Sequence, residues 1–181
     1  MSSRIVALTG SPGTGKSTLA ERLAQQGIHV VTVETVAQQV DALHQIENVR
    51  EIETPKLQTW IWSGAEACVV DGHLSHYCSI DSVMVLRCNP STLRERLQDR
   101  EGYDSRKIET NVEWELLGGV WSELIQLHPK AKVVEFDTTN KEIPIDSVLD
   151  FIQNSAHSEP VESAIEDSID WISLGITAES I

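Results

Sequence analysis

The feature that most constrains this chain is the segment GSPGTGKS at residues 10–17. It fits the pattern GxxxxGK[ST], and it lies between an apolar run, Ile5–Leu8, and a helical pattern that starts at Lys16. The glycines allow the backbone N–H groups to point inward at phosphate oxygens, and the following helix adds its N-terminal partial charge. The segment therefore predicts a strand, a phosphate-binding loop and a helix. Lys16 is expected to reach the β- and γ-phosphates of ATP, and the Ser17 hydroxyl is expected to bind Mg²⁺.

Apolar runs and helical patterns alternate along the first 153 residues. We predict strands at Ile5–Leu8, His29–Val33, Cys68–Asp71, Val83–Arg87 and Lys132–Phe136. We predict helices at Lys16–Gln26, Thr35–Leu43, Pro55–Ser63, Pro90–Arg100, Ser105–His128 (bent at Gly118-Gly119) and Ile145–Gln153. The stretch His44–Glu53 is polar and has no clear pattern. This alternation indicates βαβ units, and hence an α/β fold with a parallel sheet covered on both faces.

A second candidate site follows the third strand. A carboxylate at the end of a neighbouring strand helps to hold Mg²⁺ in proteins with this loop, and Asp71 stands at such a position. His73 lies two residues further on, at the sheet edge where ligands bind. A lone histidine is more often structural. Its place beside Asp71 favours a role in orienting a water molecule or contacting the γ-phosphate.

The helix Pro90–Arg100 carries three arginines. At 100° per residue, Arg96 and Arg100 lie about 40° apart, whereas Arg94 points nearly the other way. Arg94 is therefore expected to pair with acids on a solvated face. Arg100, just before the Gly102-Tyr103 break, is predicted to close over the phosphates.

Composition excludes several classes of protein. The chain has 181 residues and a formal charge of −14, which disfavours general nucleic-acid binding and suits a basic protein partner. No apolar run is long enough to span a membrane, and the N-terminus has no signal-peptide pattern, so a cytoplasmic location is expected. The three cysteines form no CxxC pair and are expected to be buried thiols.

The C-terminal part differs in composition from the rest. No Lys or Arg follows Lys141, and residues 155–160 have the character of a linker. We therefore divide the chain into a nucleotide-binding domain at 1–154 and an acidic extension at 155–181. The extension is expected to be mobile, to pack back as a short helix, or to engage a partner.

A regulatory GTPase is disfavoured by one residue. The segment Asn140-Lys141-Glu142-Ile143 begins like a guanine-reading Asn-Lys-x-Asp motif, but Ile143 stands where the aspartate is needed. Without that carboxylate the guanine amino group has no acceptor.

The chain resembles the adenylate kinase isoenzyme 6 family, also called coilin-interacting nuclear ATPase. Four segments carry the resemblance: residues 9–17, Asp71-Gly72-His73, Val85-Leu86-Arg87 and Leu97–Asn111. The resemblance covers about residues 4–153, and it is greatest to the archaeal branch. It implies a nucleoside-monophosphate kinase fold with five parallel strands in the order 2-3-1-4-5. A flap is implied at about residues 30–53 and a short lid at about residues 99–110.

The resemblance also implies functional residues. Contacts to ATP are carried over to Gly13, Gly15, Lys16, Ser17 and Thr18, together with Thr14 of the same loop. The lid arginine corresponds to Arg100 and the adenine-side lysine to Lys141. Ser17 and Asp71 are implied as Mg²⁺ ligands, and Lys16, Asp71, His73 and Arg100 as catalytic residues.

The implied activity is ATP + AMP ⇌ 2 ADP together with ATP hydrolysis. The alternative is an ATPase that assists small ribosomal subunit maturation by binding a basic ribosomal protein. Phosphorylation of another nucleoside monophosphate or of another small metabolite is also open.

Two departures from the family pattern bear on the acceptor. The lid reads Arg100-Glu101-Gly102-Tyr103, with one residue inserted into the usual Arg-Gly-Tyr. In the flap, Gln38 stands where eukaryotic relatives have an arginine near the AMP phosphate. Arg50 is the candidate to replace that charge.

Overall fold

The computed structural model describes residues 4–46 and 49–178. The strands are β1 Ile5–Gly10, β2 His29–Thr32, β3 Leu43–Ile46, β4 Val49–Ile52, β5 Cys68–Asp71, β6 Ser82–Arg87 and β7 Lys132–Asp137. The helices are α1 Lys16–Gln25, α2 Val33–Gln39, α3 Thr54–Leu57, α4 Pro90–Gln98, α5 Ser105–Leu116, α6 Gly119–Leu127, α7 Ile145–Asn154 and α8 Val161–Ala164. Short 3₁₀ turns occur at Ser75–Tyr77, Ser155–His157 and Ile165–Asp167.

The main sheet has five parallel strands in the order β2-β5-β1-β6-β7. Counted along the five strands of this sheet alone, the order is 2-3-1-4-5, so the predicted fold is confirmed. The register places Asp71 opposite both Leu8 and Thr32. The carboxyl ends of β1, β2 and β5 therefore meet at one edge of the sheet, where a parallel α/β fold binds its ligands.

Alternating residues of the strands pack on opposite faces of the sheet. Val6 and Met84 contact the layer formed by α1 and α7, which includes Leu23. Ala7 and Val83 face the other way, towards Trp121 of α6. Burial on both faces explains why these strands read as continuous apolar runs and not as alternating patterns.

The three cysteines are buried free thiols, as predicted. Burial raises the pKa of Cys68 and Cys78 to about 12 and that of Cys88 to about 11. These groups are therefore uncharged thiols at neutral pH, and they serve as small core residues.

The predicted helix Thr35–Leu43 is confirmed only over residues 35–39, and the hairpin that follows it was not predicted. Helix α2 begins two residues earlier, because Thr32 accepts a hydrogen bond from the Thr35 N–H at 3.1 Å. It ends at Gln39, and β3 and β4 then form an antiparallel hairpin in which Leu43 lies opposite Ile52. The hairpin follows a turn at Asp41, whose φ of 52° ends the helical pattern.

The predicted helix Pro55–Ser63 is also wrong, since α3 ends at Leu57. Beyond Leu57 the packing of aromatic side chains sets the path of the backbone. The Trp60 indole is buried and donates to Gln39 at 2.7 Å, and Trp62 stacks on His29 with ring centroids 4.3 Å apart. Tertiary packing of these rings outweighs local helix propensity.

The predicted long helix from Ser105 to His128 is divided into α5 and α6. Gly118 lies between them in the left-handed region, with φ 63° and ψ 37°. The predicted bend is therefore a complete helix end, and α6 begins a new direction at Gly119.

The C-terminal extension packs against the domain. Ser155–His157 forms a 3₁₀ turn instead of the predicted linker, and Pro160 bridges to Lys132 of β7. Val161 and Trp171 are buried. Of the alternatives for this segment, packing back onto its own domain is the one observed for the described residues. Within those residues, no helix is long and apolar enough to cross a membrane.

Gly118→Ala is expected to lower the free energy of unfolding by about 1 kcal/mol, because a Cβ in the left-handed region is strained. An added Cβ would meet no atom within 4 Å, so the backbone alone causes the loss. Gly118→Asn is the matched control and should lose less, since asparagine tolerates this conformation. Urea unfolding measures both variants. An alanine variant as stable as the unmodified protein would contradict the prediction.

Candidate active site

The phosphate-binding loop is held close to β6. An added Cβ at Gly10 would lie 2.2 Å from the Leu86 carbonyl oxygen, and its φ of 132° is unfavourable for other residues. Thr14 closes the loop by donating its N–H and its hydroxyl to the Ser11 carbonyl, at 3.3 and 2.9 Å. The loop is therefore built on a backbone contact with β6 that only glycine permits.

Lys16 lies inside this loop. Its Nζ donates to the carbonyls of Gly10 at 2.9 Å and Ser11 at 2.8 Å. The pKa of Lys16 is lowered to about 8, mainly by burial, while Asp71 and Glu115 act in the opposite direction. The ammonium is thus held by backbone oxygens next to the loop N–H groups, where an anionic ligand would meet it.

Asp71 and Ser17 fit a divalent cation. The Asp71 Oδ1 atom is buried and has no hydrogen-bond partner within the described structure, and Ser17 lines the same cleft as Asp71. Burial raises the pKa of Asp71, and nearby Lys16 and Ser17 counteract that shift. A carboxylate oxygen without a partner, beside a hydroxyl, is a donor set that Mg²⁺ accepts.

His73 lines the same cleft. Its pKa is lowered to about 4, first because the cleft walls desolvate the ring and then because Lys16 and His76 lie nearby. The residue is also exposed to solvent. The lowered pKa leaves the ring neutral at pH 7. A neutral ring can accept a hydrogen bond from a water molecule or hydroxyl.

A buried chain of polar groups supports His73, and sequence reasoning missed it. The Thr9 hydroxyl contacts the His76 Nδ1 atom at 2.8 Å and the His73 carbonyl at 3.3 Å. The His76 Nε2 atom contacts Glu123 at 2.7 Å. Ser75 anchors the same turn to the Leu8 carbonyl at 3.0 Å. The signal in the sequence was the second histidine in HLSH, but its partners are distant in the chain.

The three arginines of α4 have different surroundings. Arg94 pairs with Glu109 of α5 at 2.8 Å, and its side chain is only 23% exposed, so the predicted pairing with an acid is found but the predicted solvated face is not. Arg96 donates to the carbonyls of Thr138 and Thr139 at 2.8 and 2.9 Å, and more weakly to Gly13 at 3.4 Å. Arg96 therefore joins the phosphate loop to the loop after β7, a role that helical geometry alone did not reveal.

Arg100 lines the cleft together with Lys16 and Tyr103. Its guanidinium lies 5.2 Å from the centre of the Tyr103 ring. Although Glu101 is inserted after it, Arg100 lines the same cleft as the phosphate loop, and a modest cation–π contact supports it there.

Lys141 lies in a neighbouring chamber of about 350 Å³. This chamber shares Gly13, Gly15 and Thr18 with the main cleft, and Thr14 also lines it. Because this chamber adjoins the loop and contains Lys141, it suits the base of a nucleotide whose phosphates occupy the loop.

The main cleft, of about 650 Å³, extends from the phosphate loop to the hairpin β3–β4. Glu34 and Ile52 line its far wall. Arg50 forms an ion pair with Glu34 at 3.6 Å and so lies next to this wall. Gln38 is exposed and is not among the residues that line the cleft. The structure therefore places Arg50, and not Gln38, next to the cleft wall.

The lowered pKa of Lys16 predicts how triphosphate binding depends on pH. Only the protonated amine attracts phosphate, so the affinity for ATP should fall above pH about 8, by up to about tenfold per pH unit. Lys16→Arg is the matched control, because guanidinium stays charged and should remove the slope. Calorimetric titration between about pH 7.5 and about pH 9.5 measures both. A constant affinity across this range would contradict the assignment.

Comparison with known proteins agrees with this geometry. The family described as "AAA domain" matches residues 6–118. A protein named "Putative adenylate kinase" from Pyrococcus abyssi is 38% identical over 140 residues, which cover 76% of each chain. Its namesake from Methanocaldococcus jannaschii is 30% identical over 180 residues, covering 94% of this chain and 98% of the relative. The solved structure of YorR from Bacillus subtilis, in complex with phosphorylated GDP, shares the fold with a TM-score of 0.53 at 13% identity, over 86% of this chain and 99% of its own. The chain therefore belongs to the AAA domain family and, with these archaeal relatives, to the family that carries the adenylate kinase name.

Proposed function

We propose that this protein is a Mg²⁺-dependent nucleotide kinase that transfers the γ-phosphoryl group of ATP to AMP. The observation that carries the proposal is the continuous cleft between the phosphate loop and the hairpin β3–β4. An ATPase needs room for a triphosphate and a water molecule. This cleft extends beyond the loop to a second wall near Arg50, where an acceptor would fit. The name of the archaeal relatives supports the same activity.

The residues of the cleft have distinct roles in this proposal. The N–H groups of the loop and the Lys16 ammonium bind the β- and γ-phosphates, and Arg100 approaches from the lid side. Ser17 and Asp71 would hold Mg²⁺, which when bound neutralises charge on the phosphates. His73 is neutral at pH 7, so its ring can donate its N–H to the AMP phosphate whose oxygen attacks, or accept a hydrogen bond from the water that attacks in ATP hydrolysis. Catalysis then rests on positioning and electrostatics.

The acceptor phosphate requires a positive charge on the hairpin side. Arg50 is exposed and its partner Glu34 lies on the cleft wall, so the ion pair can exchange its carboxylate for a phosphate. Exposed ion pairs contribute little, so this exchange costs little. Arg50 thus supplies the charge that Gln38 lacks.

The finer assignment, to the adenylate kinase isoenzyme 6 family, rests on the Asp71-Gly72-His73 motif. The alternative function, an ATPase that binds a basic small-subunit ribosomal protein, rests on the same resemblance and on the charge of −14. The two functions differ in their need for a monophosphate, so one assay separates them.

ADP formation is expected to rise at least tenfold when AMP is added to ATP and Mg²⁺, because the acceptor completes the cleft. CMP, GMP and UMP added singly define the preference for the base. Lys16→Ala should abolish all activity. If no monophosphate increases the rate above that with ATP alone, the kinase proposal is wrong and the ATPase alternative is preferred. Full activity of Lys16→Ala would contradict both.

Arg50→Ala is expected to raise the KM for AMP about tenfold or more and to leave the KM for ATP nearly unchanged, because a lost charge-assisted contact to phosphate costs about 1.5–3 kcal/mol. Gln38→Ala is the control on the same flap and should change neither value. Steady-state kinetics with each substrate varied in turn measures the difference. Equal effects of the two substitutions would exclude Arg50 as the acceptor contact.

A further inference from the structure

Behind the phosphate loop lies a largely buried ionic cluster. Arg87, at the end of β6, is 0% exposed and contacts Glu115 at 2.6 Å and Glu135 at 3.1 Å. Glu115, on α5, is 1% exposed. One arginine thus faces two carboxylates in the interior, an arrangement that is costly unless further donors complete it.

The further donors to Glu115 come from distant parts of the chain. Its Oε1 atom accepts from the Cys88 N–H at 3.2 Å and from the Trp171 indole at 3.1 Å. Its Oε2 atom accepts from the Ser11 hydroxyl at 2.5 Å. Ser11 belongs to the phosphate loop, and its carbonyl is one of the two that hold Lys16. Glu115 is therefore the direct link between the buried cluster and the phosphate site.

The C-terminal segment completes the same cluster. The Ile169 carbonyl accepts from Arg87 at 3.1 Å, and the Ile169 N–H donates to Glu135 at 2.8 Å. Trp171 is 5% exposed, and the Arg87 guanidinium lies 5.8 Å from its ring centre. Neither Ile169 nor Trp171 lines the cleft. Within the hydrogen bonds described for this part of the chain, residues 169–171 are linked to the phosphate loop through Glu115, which Trp171 contacts directly and Ile169 contacts through Arg87.

We propose that Glu115 is a positioning residue for the phosphate loop, and that the C-terminal segment 169–171 holds Glu115 in the orientation that ATP binding requires. The inference rests on the proposed use of ATP. It does not depend on which acceptor is phosphorylated.

One hydrogen bond transmits the effect of Glu115 to the phosphate site. The bond from Ser11 fixes the part of the loop whose carbonyl holds Lys16. Loss of the Trp171 hydrogen bond removes one of the three donors to Oε1, which are Arg87, Cys88 and Trp171, and so weakens the hold that orients the carboxylate towards Ser11. Docking of the segment and binding of ATP are therefore coupled.

The test is a double-mutant cycle on ATP affinity in the full chain. Ser11→Ala removes the link to Glu115, and Trp171→Phe removes one indole donor while keeping an aromatic ring. Each substitution alone should weaken ATP binding about three- to tenfold, the usual net value of one intramolecular hydrogen bond. The double variant should be no weaker than Ser11→Ala alone, because Trp171 acts through Ser11.

Trp60→Phe is the matched control. Trp60 is 6% exposed and its indole also makes one hydrogen bond, to Gln39 at 2.7 Å, but it lies outside the cluster. It should reduce thermal stability to a similar extent as Trp171→Phe and leave ATP affinity unchanged. This control separates a loss of positioning from a general loss of stability.

Calorimetry with ATP and Mg²⁺ measures each affinity, and thermal unfolding confirms that each variant is folded. Unchanged affinity in Trp171→Phe, or effects of the two substitutions that multiply, would overturn the proposal. If no monophosphate supports turnover but the cycle is non-additive, the kinase proposal fails and the positioning role stands. If the unmodified protein does not bind ATP, both fail.

Discussion

The structure depends on the place of β1 at the centre of the sheet, paired in parallel with β5 on one side and β6 on the other. All six residues of β1 are buried, so the strand cannot shift without exposing apolar side chains on both faces. At the end of β1 the chain must turn away from β6 at Gly10. A Cβ added at this position would lie 2.2 Å from the Leu86 carbonyl oxygen. The phosphate loop, Asp71 and the 73–77 turn are all positioned relative to this strand.

The site concentrates positive charge within an acidic protein. The chain carries a formal charge of −14, yet Lys16, Arg96 and Arg100 all line the cleft. Lys16 and Arg96 are held by backbone carbonyls and not by carboxylates. A carbonyl dipole orients a cation without neutralising it, so the charge remains available to an anionic ligand. Three cations thus outnumber two carboxylates, Glu34 and Asp71, in the cleft of an acidic protein.

Much of the fold could be predicted because it follows from local chemistry. The strands were readable as apolar runs, and GSPGTGKS identified the loop. The elements that were predicted wrongly depend on distant contacts. The hairpin β3–β4 lies in a polar stretch with little patterning, and its pairing gives it the strand conformation. The packing of Trp60 and Trp62 sets the path of the segment after Leu57. Contacts with β7 and Arg87 set the path of the segment after residue 154.

By itself, the sequence determined the phosphate loop, the alternation of strands and helices, and the carboxylate and imidazole at the end of β5. These depend on residue type and spacing over short distances, which a chain carries wherever it folds. Only the tertiary structure decided that Arg96 joins two loops, that Arg50 lies next to the far wall of the cleft, and that Glu115 connects Ser11 with Trp171. Ser11 and Glu115 are 104 residues apart in the chain. Their hydrogen bond exists because β1 and β6 are neighbours in the sheet and α5, which packs on α4, brings Glu115 to Arg87 at the end of β6, and no short sequence pattern encodes such a contact.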